Sequence, residues 1–270
     1  MPSSEKAAVF VRDRLSLVST LSVVTVSLGA WFAVSFLMPL IVPDAGDATM
    51  GIMMFATLSP NSIFFFELVW VVGMVAMMFP AMLPVLLYYN KLVATEESAS
   101  RAANPLRTSL FLGGYLLTYS GIGLLVFLAI FLGVNSAPLF PALWTSARFG
   151  PSIILVVAGV YQLSPTKSKS LSRCVSPATF FMARLRGGPV GAIVMGIDHG
   201  RYCAQCCWAF MLVMAGVGAM SLSFMAIIAG VVALEKAVLR GATWFRMSVA
   251  GILLILGVAT AFAPGVLALF

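Results

Sequence analysis

The chain is 270 residues long, 61% hydrophobic and only 9% charged, and its mean hydropathy of +1.05 lies far above that of water-soluble domains. Length therefore counts membrane spans here and not globular domains. The formal net charge of +7 gathers between the apolar runs, where it reads as a topology signal and points to no nucleic-acid partner.

The predicted fold is all-α, a polytopic transmembrane helical bundle of about seven spans making one integral membrane domain over 1–270. The first span, 15–42, fills the charge-free interval between Arg14 and Asp44; it is too long for a signal-peptide apolar region and reads as an uncleaved anchor. Residues 44–59, with Met50, Met53 and Met54, read as a segment lying on or dipping into the membrane. The second span, 62–90, follows the capping-type Ser59-Pro60-Asn61 and carries Met74, Met78 and Met82 one turn apart. Pro80 and Pro84 within it free backbone carbonyls that something else must satisfy. The third span is 108–133. The fourth, 151–164, closes on Tyr161 to Lys167, with Gln162 read as bonding across helices and Lys167 as an interfacial anchor. Residues 177–186 read as a short interfacial helix with its basic residues toward headgroups.

The fifth span, 188–220, opens with Gly188, Ala192, Gly196, Gly200 and Ala204 at every fourth position, a small-residue stripe that lets another helix approach closely. The sixth, 222–239, ends at Glu235-Lys236, and the seventh is 247–269. Lys6, Arg12, Arg14, Lys91, Arg101, Arg107, Lys167, Lys169, Arg173, Arg184, Arg186, Arg240 and Arg246 fall in alternate loops, whereas Arg148 shares the other side with Asp44 and Asp47. The positive-inside rule then puts the N-terminus in the cytoplasm and the C-terminus outside; the chain is expected to be a multi-pass protein of a bacterial inner (cell) membrane, with the lipid bilayer as its first partner.

The fifth span holds the only histidine and three of the four cysteines. On a helix, His199, Cys203, Cys207, Met211 and Met214 line one face, with Cys206 beside them. Thiolate, imidazole and thioether are ligands for soft and borderline metals, and thioether selects Cu(I). A helix face rarely supplies a whole ligand set, so Met74 and Met78 of the second span and Glu235 of the sixth are added as candidates. The expected metal site is thus Cys203, Cys206, Cys207, His199, Met78, Met211, Met74, Met214 and Glu235, holding copper, with zinc second because His/Cys ligation suits it too. Cysteines near the cytoplasmic face are kept reduced, which favours metal or redox chemistry over structural disulfides. No catalytic residue is assigned. One histidine excludes bis-histidine haem ligation. The chain has no Gly-x-x-x-x-Gly-Lys loop, so no nucleotide partner is expected, and no serine nucleophile elbow is visible.

With Met-Met-x-Pro-x-x-x-Pro at 77–84, Tyr-Gln-x-x-Pro-x-Lys at 161–167, His-Gly-x-Tyr-Cys-x-x-Cys-Cys-Trp at 199–208 and Glu-Lys at 235–236, the chain resembles an uncharacterised bacterial family of predicted metal-binding integral membrane proteins. The resemblance runs from about Glu67 to Lys236, and its Cys-x-x-Cys-Cys-Trp block is the specific part. It departs from the pattern at Gln205, where the family has glycine, which bears on local packing more than on ligation. The resemblance implies metal binding at Cys203, Cys206 and Cys207. The expected function is binding of a soft metal for trafficking, or for delivery to a membrane metalloenzyme or copper carrier protein. The alternatives are a membrane thiol oxidoreductase using Cys203/Cys206 and a non-catalytic assembly subunit.

Overall fold

The computed structural model describes residues 3–41, 57–95, 103–136, 149–216 and 222–263, and among them it is helical throughout, with no strand. In chain order the helices are α1 (Ser3–Ile41), α2 (Pro60–Thr95), α3 (Ala103–Ser136), α4 (Gly150–Leu163), α5 (Pro165–Val175), α6 (Pro177–Arg184), α7 (Gly188–Gly216), α8 (Leu222–Ala233) and α9 (Thr243–Phe262). α8 runs directly into a π-helical turn, Leu234–Val238. The segment with Met50, Met53 and Met54 lies outside the described residues, as do Asp44, Asp47, Arg101 and Arg148.

Local chemistry sets the breaks between elements. Proline stands in the first turn of α4, α5 and α6, where its missing N–H would have had no helical partner anyway. Ser164 caps α5 by accepting a hydrogen bond from the Lys167 N–H at 3.1 Å, so the chain turns at Ser164 and starts a new helix. Pro80 and Pro84 leave α2 continuous. Pro80 cannot donate to the Ala76 carbonyl, and that carbonyl accepts instead from the Ser27 hydroxyl of α1 at 2.8 Å, which ties the two helices together where the backbone bond is missing.

Among the described residues four helical segments are long and apolar enough to cross a membrane: Leu17–Leu37, Pro60–Val93, Pro105–Ser136 and Thr243–Phe262. Large apolar side chains such as Phe32, Leu125 and Ile255 stand exposed on them, a surface suited to lipid and costly in water. The seven expected spans came from charge-free intervals, and three of them fall outside these four segments. α4 has only 14 residues, and α8 has 12 before the π-turn. α7 has 29 residues, but Asp198, His199, Arg201 and Gln205 interrupt its apolar character.

α7 is the inner helix, with a long run of buried positions from Gly191 to Met214, and its most extensive packing is against α3. The small-residue stripe makes this possible. A Cβ on Gly196 would overlap the Phe111 carbonyl, one on Gly200 would crowd Thr118, and on the facing helix one on Gly114 would overlap the Ile193 carbonyl. α5, α4 and α8 also pack on α7, while α9 lies against α4 and α1 against α2. The helix expected at the interface, α6, turns inward: Phe180 and Phe181 are buried, with Phe181 stacked on Tyr88 and Tyr89. Two aromatic side chains bury more apolar area than a headgroup contact of Arg184 returns, and Arg184 pairs with Asp198 at 3.2 Å instead.

Candidate metal centre

Cys203 is the centre of a closed polar cluster. The Tyr115 hydroxyl of α3 lies 3.1 Å from its Sγ. The Lys236 ammonium, carried by the π-turn, donates to the same Sγ at 2.8 Å. Cys206 donates from Sγ to the Cys203 carbonyl at 3.1 Å and lies 3.5 Å from the Cys207 sulfur. Cys174 of α5 reaches the Cys203 and Cys206 thiols with its side chain, and its hydrogen bond to Cys203 pushes its own thiol above the ordinary range. All four cysteines of the chain are free and buried. They gather at one level of the bundle from α5 and α7, and a lysine and a tyrosine from two further elements join them.

His199 lies one turn before Cys203 and is buried, with Phe180 edge-on at 5.2 Å and the Tyr115 ring at 6.0 Å. Its Nδ1 has no hydrogen-bond partner among the described residues, which leaves a nitrogen lone pair or proton available close to the thiols. Met74 and Met78 on α2, and Met211 and Met214 on α7, are buried in the same core. Glu235 is placed differently from the other candidates. Its Oε2 accepts from the Lys167 ammonium at 2.9 Å with both side chains 1% exposed, and it is Lys236, the next residue, that meets the thiols. The π-turn carries these adjacent charges to two separate partners; such turns recur at functional sites.

Lys167 is therefore no headgroup anchor: it is fully enclosed, bound to Glu235 and set over the Phe210 ring at 4.5 Å. Gln162 is buried, and among the described residues neither of its amide atoms has a hydrogen-bond partner, so it makes no bond across to any of these helices. On the same side, Arg173 and Arg184 both donate to the Tyr202 hydroxyl, at 3.3 and 3.4 Å. Gln205 is held by Tyr161, which donates to its backbone carbonyl, and by Ser170, which donates to its side chain at 3.3 Å. The side chain at the position where the resembled family has glycine is thus accommodated by local bonds.

Sequence reasoning left out Cys174, Lys236, Tyr115 and the pairing of Lys167. One signal was readable. Lys167, Ser170, Leu171 and Cys174 are the buried positions of α5, an i, i+3, i+4, i+7 set that marks one helix face. Tyr115 had no such local signal, and Lys236 was marked only by the Glu-Lys pair that closes the sixth span.

Among the described residues no group of three or more His, Cys, Asp or Glu side chains is already arranged around a point that would hold a metal ion. The thiols are instead engaged with one another, with Lys236 and with a backbone carbonyl. In its chemistry the donor set fits a soft monovalent ion: buried sulfur donors with thioethers in the same core are what Cu(I) selects. Residues 67–260 match the family model PpoB2, described as a copper chaperone. No curated protein and no solved structure matches the chain significantly.

Proposed function

The chain belongs to the copper chaperone family, and on that premise we propose that it is a membrane-embedded chaperone that takes Cu(I) as cargo on Cys203, Cys206 and Cys207. Its role is copper-related. His199 and Cys174 complete the thiol-rich end of the site, and Met78, Met74, Met211 and Met214 extend it with thioethers. The observation that carries this reading is the gathering of every thiol in the chain at one buried place beside Lys236. Cysteines that only fill space in helices have no reason to converge from α5 and α7. Nothing in the fold or the family favours zinc.

The cargo would be held by exchangeable sulfur bonds and handed on to a membrane metalloenzyme or to a copper carrier protein. The topology that fits is one of seven spans in a bacterial inner membrane, with α4 and α8 as short spans, α7 as a polar one, and the N-terminus in the cytoplasm. The distribution of lysine and arginine supports it. That arrangement sets the thiols toward the reducing side, where they stay available for Cu(I).

Metal content tests the proposal. Purified protein loaded under reducing conditions should hold about one Cu(I) per chain, a sulfur-ligand count for one soft ion. The double variant C203S/C207S should insert and fold yet lose the metal, and C174S should bind more weakly. Unchanged stoichiometry in the double variant would return these cysteines to packing or to thiol–disulfide chemistry.

A further inference from the structure

We propose that Lys236 sets the charge of the cargo: its buried ammonium makes the thiol site neutral with a monovalent ion and disfavours a divalent one. The inference rests on the thiol cluster being the copper site. Four buried charges lie in this part of the bundle when Cys203 is read as the thiolate that answers Lys236. Lys167 and Glu235 cancel one another at 2.9 Å. Lys236 is 4% exposed and stands in neither the Lys167–Glu235 nor the Arg184–Asp198 pair; its acceptor is Cys203 Sγ at 2.8 Å. Ammonium and thiolate then balance in the empty state.

Loading keeps that balance for only one class of ion. Cu(I) binds the Cys203 thiolate and a second cysteine sulfur, whose proton leaves to water. One positive ion, two thiolates and the lysine again sum to zero. A divalent ion on the same two sulfurs leaves a net positive charge in a buried site, which is costly. It must recruit and deprotonate a third cysteine to become neutral. Lys236 touches a ligand without needing to be one, so it acts as a specificity-determining residue. The π-turn is what lets it face the sulfur while Glu235 faces Lys167.

The test compares Cu(I) and Zn(II) affinities of the full-length protein in detergent, by competition with chromophoric chelators, for wild type, K236M and K236R. Removing the charge should lower the preference for Cu(I) over Zn(II) by at least about tenfold, a conservative figure for one charge a few ångströms away at intermediate dielectric. K236R, which keeps the charge, should retain the preference. A K236M preference within about twofold of wild type, or an equal loss of both metals, overturns the proposal, since a structural role would not move the ratio. Should K236M fail to fold, K236Q is read in the same competition, and a Cu(I) preference within about twofold of wild type refutes the idea. Wild-type protein that binds no Cu(I) at all would instead strike the proposed function itself.

Discussion

The buried pair of Lys167 and Glu235 gives the sharpest stability prediction. At 2.9 Å and an effective dielectric of about 20, the Coulomb attraction is about 6 kcal/mol. Desolvation of two ions that are each 1% exposed offsets most of that, so the intact pair should be worth little more than two well-packed apolar side chains. Breaking it is another matter. K167M strands the Glu235 carboxylate, whose Oε1 already lacks a hydrogen-bond partner, and also removes the cation over Phe210. The expected cost is about 3–5 kcal/mol, the usual size for an orphaned buried charge. The double variant K167M/E235L should recover most of it and lie within about 1–2 kcal/mol of wild type. The more exposed pair of Arg184 and Asp198, 3.2 Å apart with side chains 42% and 13% exposed, is the control. D198N should cost under about 1 kcal/mol. Reversible unfolding of wild type, K167M, E235L, the double variant and D198N in mixed micelles measures the cycle and its control. Single and double losses that simply add, or a K167M loss no larger than that of D198N, would refute the reasoning.

Three further outcomes are expected. G196A should destabilise the protein by about 1–3 kcal/mol, because a Cβ there overlaps the Phe111 carbonyl and the backbone cannot give way. G113A, with nothing within 4 Å of the added carbon, should be neutral or stabilising; thermal melts that rank the two the other way contradict the α3–α7 packing. M78L and M211L keep volume and apolarity, so they should leave unfolding nearly unchanged while weakening Cu(I) binding; undiminished affinity in chelator competition reduces these methionines to packing. Reporter fusions should find Arg173 in the cytoplasm and Asp47 outside, and a periplasm-active reporter working at Arg173 would invert the proposed orientation.

Composition and local spacing alone determined that the chain is helical and apolar, that α7 carries a stripe for close approach, and that Cys203, Cys206 and Cys207 share a helix with His199. These are properties of neighbours within a few turns, and a helix writes them into periodicity. The free carbonyl that Pro80 implies at Ala76 was legible in the same way, but its partner was not. Ser27 lies 49 positions away, and nothing local selects it. The same limit kept Lys236 out of the expected thiol site, and made Lys167 read as a headgroup anchor when it is half of an enclosed pair with Glu235, 68 positions on. Charge-free intervals likewise counted α4, α7 and α8 as spans, whereas only four helical segments among the described residues are long and apolar enough to cross a membrane. A charged side chain looks alike in sequence whether it meets water or a buried counter-charge. Only the packing of α5, α7 and the π-turn around one another decides which, because burial and partner are set by contacts between segments far apart in the chain.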